Sequence, residues 1–476
     1  NVKGKLSNNL NATIISNFLN YNFKQHIDDK INLQASSSFE VQFNNKFKLK
    51  KYDLESKIDF NELNIKLEKI NLNKYISDFN NKVTLSKGII IFKTNNQNKT
   101  EIRINSKYNF KKNHRPSELS IYYLKSKKNE NYKFKINLSE NEIIFQKLNF
   151  IKKKGKKLDL NIFFSKNKNH YQINDLKLFN DENYFILKNI KLDKKFNIMD
   201  FSIIEANFKN NNNDLNQILI KKKNKNINIT SKALNIGSSI VNNLKSSSKD
   251  NFFDIFKNIN ASVNLDIKKA KLDNDYTFKN LIGNMIIKKN EIDKVNISSK
   301  FDRGGNFVYT KKNLDGKKVT IITSDHASPF VKKFDFIKGF TGGKLDFTST
   351  EINKDLSRSE LRMYDFKLKD MPALTKLLSL ASLQGIADLA TGKGIRFDEF
   401  DMFFENRKNL IRVNEIYALG PAISILMEGY VEKNKVVSLR GTLVPATTIN
   451  KTVAKIPLLG NILVGEKAGE GVFGVS

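Results

Sequence analysis

The chain has 476 residues, no Cys, four His, and 82 Lys plus Arg against 49 Asp plus Glu, a formal charge of +33. Without Cys there is no disulfide framework, thiolate metal site or cysteine nucleophile, and His26, His114, His170 and His326 lie too far apart in the chain to suggest a metal site. The charge invites a nucleic-acid or anionic-membrane partner, but its Lys residues are spread among Asn and Ile without the aromatic interleaving of a nucleic-acid module, so no nucleic acid is expected.

No run of 18 uncharged apolar residues, initiator Met or signal-like segment is present, and the chain stops in the strand-like GVFGVS. It therefore reads as a piece of a longer protein.

From Asn1 to about Phe208 the dominant pattern has period two. Tyr132, Phe134, Ile136 and Leu138 fall on one face of a strand while Lys133, Lys135 and Asn137 fall on the other. Phe39, Val41 and Phe43 alternate in the same way, as do Leu158, Leu160, Ile162 and Phe164. Further strands are expected at Ile102–Phe110, Tyr184–Leu192 and Phe201–Phe208, separated by Asn, Asp and Lys clusters. The spacing predicts an antiparallel meander. About 25 strands at ~4.8 Å each would make a sheet ~120 Å long, and sheets of that size curl, split or close. Alternation alone is equally compatible with two or three successive sandwiches.

Short helices are expected at Asp214–Lys222 and Asp250–Asn258, with strands resuming at Ala261–Leu272, Leu281–Lys288 and Val319–Ser324. Composition then shifts: seventeen of the 22 Gly lie from Gly304 onward and five of the six Pro from Pro329 onward. Three regions follow: a repetitive sheet over 1–249, a short helix with continuing strands over 250–324, and a distinct region over 325–476. The last contains an apolar helix over 371–390. Asp370 caps it, Pro372 sits in its first turn and Gly392 stops it. Leu374, Leu377, Leu378, Ala381 and Leu383 cover enough of its surface to require an apolar partner.

Three tempting sites carry no chemistry. Gly385–Gly394 follows a helix, whereas a phosphate loop must precede one. Asp398, Glu399 and Asp401 lack a second carboxylate motif. Asp325, His326 and Ser328 lack a nucleophile elbow. No catalytic residue, cofactor or metal is expected.

The segments SDHASPFVKKFDFIKGFTGGKLDFT from Ser324, LRMYDFKLKDMPALTKLLSLASLQGIADLATGKGIRFDEF from Leu361, YALGPAISILMEGYVEKNKVVSLRGTLVP from Tyr417 and INKTVAKIPLLGNILVGEKAGEGVFGVS from Ile449 resemble, in order, the C-terminal region of the AsmA-like (YhdP/TamB-related) family of the Gram-negative envelope. The resemblance implies a mainly β fold, a long curled antiparallel sheet forming an elongated apolar groove. It also implies a non-enzymatic, inner-membrane-anchored protein in the periplasm that moves phospholipids between the inner and outer membranes. Its anchor would lie outside this chain. On this reading the inward residues are Phe39, Val41, Phe43, Tyr132, Phe134, Ile136, Leu138, Leu158, Leu160, Ile162 and Phe164. The alternative is an assembly factor that binds outer-membrane protein segments by β-augmentation. Apart from the resemblance, the apolar residues Leu458, Leu459, Ile462, Leu463 and Val464 make the C-terminal end a candidate contact with an envelope membrane protein or the bilayer surface.

Overall fold

The computed structural model describes residues 2–10, 33–67, 72–237, 260–331, 339–369 and 394–445, except for breaks at 78, 80, 97–98, 111–114, 128, 168, 290, 354, 408–409 and 433–435. The helices expected over 371–390 and Asp250–Asn258, with Leu374, Leu377, Leu378, Ala381 and Leu383, lie outside the described residues, as does the apolar tail from Ile449. The described chain is mainly β, with 25 strands in main-sheet ladders and two in a separate hairpin. It divides into two compact units between Asn224 and Lys225.

Unit 1 runs through β1 (Val2–Leu10), β2 (Leu33–Phe43), β3 (Leu49–Lys66), β4 (Lys82–Asn95), β5 (Thr100–Asn109), β6 (Ser117–Lys125) and β7 (Glu130–Asn137). The small hairpin of β8 (Ile143–Phe145) and β9 (Phe150–Lys152) then leaves the sheet, so that β7 pairs with β10 (Asp159–Lys166). The sheet continues through β11 (Tyr171–Phe179), β12 (Tyr184–Leu192), the short β13 (Ile198–Asp200), β14 (Ile203–Lys209) and β15 (Leu215–Lys223). Among the described residues, all pairings within this unit are antiparallel.

The helix expected at Asp214–Lys222 is strand β15, a correction. Ile203–Lys209 pairs residue for residue with Leu215–Lys221. Asn216, Ile218 and Ile220 face one way, and the run Ile218-Leu219-Ile220 that suggested a helix is held by ladder hydrogen bonds instead.

Unit 2 contains β16 (Asn226–Asn235), β17 (Ala261–Lys271), β18 (Thr277–Lys288), β19 (Glu291–Phe301), β20 (Asn306–Leu314) and β21 (Lys317–Ser324). After a one-turn helix α1 (Ser328–Val331) come β22 (Phe340–Asn353), β23 (Leu356–Leu368), β24 (Ile395–Arg407), β25 (Leu410–Leu419), β26 (Ile423–Glu432) and β27 (Val437–Pro445). The pair β16–β17 is parallel, so the sheet is mixed and the expectation of a purely antiparallel one is corrected. A parallel pair needs a crossover of a dozen or more residues, and the long connection between Asn235 and Ala261 meets that requirement. Neither unit closes: among the described residues β1 pairs only with β2, and β27 only with β26.

Four mid-strand residues interrupt the alternation. Lys87, Asn189, Asn280 and Asp365 are left-handed, at φ 49°, 52°, 51° and 53°. Each lets residues three apart face the same way: Leu85 with Gly88, Leu187 with Ile190, Phe278 with Leu281, and Met363 with Phe366. Such irregularities bend a strand and raise its twist.

The core of unit 2 is dense with aromatics. Phe278, Phe340, Phe366 and Phe397 are at most 3% exposed. Phe340 stacks on Phe366 at 4.9 Å and Phe366 on Phe397 at 5.3 Å. Helix α1 closes this end, with Phe330 stacked on Phe307 at 5.5 Å. It is tied down by the Ala327 N–H donating to Gly343 O at 2.7 Å.

Candidate functional site

The candidate site is one face of the unit 1 sheet. Cross-strand register places a single row of apolar residues across it: Ala35, Ile58, Ile90, Ile104, Ile121, Phe134, Ile162, Leu176, Leu187, Ile204 and Ile220, each the direct partner of the next. Ala35 and Ile220 at the ends are buried, and the residues between them are half-buried. Strand alternation sends the neighbouring side chains, such as Lys133 and Lys135, to the other face.

The face is graded along the strands. Toward one end Tyr123, Tyr132, Phe164 and Tyr171 form an aromatic row with successive centroid distances of 4.9, 5.7 and 5.6 Å. Beyond them stand Thr94, Thr100, Lys125, Glu130 and Lys166. The Tyr132 hydroxyl donates to Glu130 at 2.8 Å, and Lys166 lies 3.5 Å from the same carboxylate. Burial and Glu130 together push the Tyr132 hydroxyl pKa up. A polar rim thus sits above an aromatic layer, and an aliphatic layer lies below.

The opposite end is closed. The β8–β9 hairpin and the turn around Ile76 and Phe79 bury Leu138, Ile143, Leu158 and Leu178. Phe145 and Phe150 meet Phe185 edge-on at 5.4 and 5.3 Å. Tyr108 is held beneath by hydrogen bonds to Asn137 O and Asn141 Oδ1, both 2.9 Å.

Lys152 anchors this hairpin. It is only 4% exposed, and its ammonium donates to the carbonyls of Leu138 (2.6 Å), Ser139 (2.9 Å) and Lys156 (3.0 Å). Burial pushes its pKa down to about 8, opposed by Glu140 and Glu142.

Of the residues singled out from the sequence, Phe39, Val41, Phe43, Tyr132, Phe134, Ile136, Leu160, Ile162 and Phe164 share this face by register. Phe43 lies at the rim end and is 47% exposed. Leu138 and Leu158, at 5% and 0%, belong to the closed end under the hairpin, where they are ordinary core. The hairpin and its buried Lys were not anticipated. The signal available was the doublets Ile143-Ile144 and Phe150-Ile151, which break the alternation.

The other face of unit 1 is charged and held by exposed pairs, including Lys93–Glu55 at 2.9 Å and Lys3–Glu40 at 3.4 Å. Aromatics there lie under cations: Lys133 is 5.3 Å from the Phe163 ring and Lys177 is 4.5 Å from that of Phe179.

Within unit 2 the corresponding apolar face carries the ion pair Lys311–Glu351 at 2.6 Å. Burial and Glu351 push the pKa of the adjacent Tyr309 up. Asp325, His326, Ser328, Asp398 and Asp401 all have structural partners. Asp325 accepts the Asn306 N–H at 2.7 Å, His326 Nε2 bonds Gly304 O at 2.8 Å, and the Ser328 hydroxyl donates to Gly342 O. Asp398 pairs with Arg396 at 2.9 Å and Asp401 with Arg362 at 3.5 Å. Among the described residues no cluster of three metal-ligating side chains occurs, and no helix is long and apolar enough to cross a membrane.

No family model matches the chain, and no curated protein or solved structure matches it either.

Proposed function

We propose that unit 1 holds the acyl chains of phospholipids on its apolar face, as part of a non-enzymatic transfer route between the inner and outer membranes of a Gram-negative envelope. The observation that supports this reading is the unbroken apolar row from Ala35 to Ile220 with a half-buried middle. Core packing drives large apolar side chains below a few percent exposure, as at Phe278, Phe340 and Phe397; the middle of this row stops short of that. Each exposed methylene costs about 0.8 kcal/mol in water, so a lipid chain laid along the row gains by covering it and being covered. The grading suits an amphiphile, with aliphatic side chains for the tail, tyrosines at the interface and Lys or Glu at head-group level.

The test is photo-crosslinking in cells grown with radiolabelled phosphate, with the probe at Phe134 and, separately, at Lys135. Labelled phospholipid trapped at Phe134 and absent at Lys135 is the expected result. Lipid at neither position, in folded protein, overturns the reading and brings forward strand augmentation along the β1 edge.

A further inference from the structure

Two hairpin turns of unit 1 are built alike and share an anomaly. In the β2–β3 turn, Asn44 Oδ1 accepts the N–H groups of Lys46 (3.0 Å) and Lys48 (2.9 Å). In the β12–β13 turn, Asp193 Oδ1 accepts those of Lys195 (2.8 Å) and Asn197 (2.9 Å). Both turns place their fourth residue in the left-handed region, Phe47 at φ 53° and Phe196 at φ 63°. Among the described residues these are the only aromatics at positive φ; the other non-glycine residues there are Asn, Asp and Lys. A bulky side chain is disfavoured in that conformation.

The β14–β15 turn supplies an internal control. Asn210 Oδ1 accepts from Asn212 (3.0 Å) and Asp214 (2.9 Å), and the left-handed fourth residue is Asn213, at φ 60°. The turn itself therefore does not require Phe. Packing gives little reason for it either: Phe47 is 88% exposed and Phe196 63%, although the latter stacks on Tyr171 at 4.8 Å.

Both Phe turns lie at the end of unit 1 opposite the β8–β9 hairpin, about eight strand spacings, or roughly 40 Å along the sheet, from each other. Phe43, Leu49 and Met199 flank them at 47%, 54% and 56% exposure. Lys46, Lys48, Lys50 and Lys51 surround the first, and Lys194 and Lys195 belong to the second. Of the nearby acids, Asp193 is committed to its own turn, Asp53 pairs with Lys51 at 2.9 Å and Asp200 pairs with Lys222.

We propose that this end of unit 1 docks on an anionic lipid surface, with Phe47 and Phe196 inserting at head-group depth and the flanking lysines meeting the phosphates. Aromatic tips among basic residues suit a membrane interface. A protein-binding patch would instead be contiguous and depleted of Lys at its centre. The inference does not depend on the acyl-chain site, since docking uses only the turns.

Co-sedimentation of the whole chain with vesicles tests it. Phosphatidylcholine vesicles are compared with vesicles that also contain phosphatidylglycerol, at low and high salt. Binding is expected only to the anionic vesicles, weakening with salt and falling about tenfold in the Phe47→Asn/Phe196→Asn double variant. Phe47→Asn alone, which removes no ring stack, is expected to lower binding with an unchanged or raised Tm. Failure of the unaltered chain to bind anionic vesicles at low salt overturns the proposal. So does a double variant that binds as well as the parent, because the lysines alone would then account for the attraction.

Discussion

The two units use the same alternating strands but seal their apolar faces differently. In unit 2 one end of the apolar face is a sealed aromatic core, with Phe278 and Phe397 each 1% exposed and α1 packed across it, while Tyr309, Ile322, Phe347 and Leu361 farther along the strands are half-buried. In unit 1 the sealed end is covered by the β8–β9 hairpin instead, and Phe134, Ile162 and Leu176 along the middle stay half-buried. Period two therefore identifies which side chains share a face, while what lies over that face decides whether they form a core or a surface available to a ligand.

The sharpest test of this contrast is truncation of an aromatic on each side. Phe397→Ala leaves a cavity in a close-packed cluster and is expected to destabilise unit 2 by about 3–5 kcal/mol, read as a lowered urea midpoint. Phe134→Ala removes a half-buried ring that solvent can replace and is expected to cost only about 1 kcal/mol. Equal losses would mean that the sealed end and the open middle are packed alike.

Lys152→Met falls between these effects. It leaves three carbonyls without their donor and is expected to cost about 2 kcal/mol, concentrated in faster hydrogen exchange of the hairpin. The pH dependence provides an independent check. The folded-state pKa, about 8, lies below the unfolded value, so the native chain releases this proton first as pH rises. The destabilising contribution is full below about 8 and fades as pH rises toward the ordinary Lys value, so stability attributable to Lys152 increases across that window. Comparing urea midpoints of parent and Lys152→Met at pH 7, 9 and 10 isolates it (assay points, ~1–2 units apart to bracket the window).

The smallest expected effect has the opposite sign. Phe47→Asn relieves a left-handed aromatic and is expected to stabilise unit 1 by about 0.5–1 kcal/mol, seen as a small rise in Tm. A loss of stability would show that the Phe47 ring has a packing role.

Much of the sheet was legible because Lys and Asn on one side of each strand and Phe, Ile or Leu on the other leave one way to bury apolar surface. Tyr132, Phe134 and Ile136 in β7 illustrate this. Strand β15 was misread because Ile218, Leu219 and Ile220 form a continuous apolar run, whose period is ambiguous until a partner strand is known. The hairpin of β8 and β9 was missed for a related reason: its strands are three residues each, too short to show any period.

By itself, the sequence determined the β class, the strand faces and the basic surface, because alternation and charge are local properties of the chain. Tertiary structure alone decided the register that aligns Ala35 to Ile220, the parallel β16–β17 pair and the left-handed breaks at Lys87, Asn189, Asn280 and Asp365. It also decided the burial of Lys152 among three carbonyls, those of Leu138, Ser139 and Lys156, which the hairpin brings together. Pairing is a contact between strands, and burial depends on what other segments place overhead; neither is encoded in the spacing of residues along one strand.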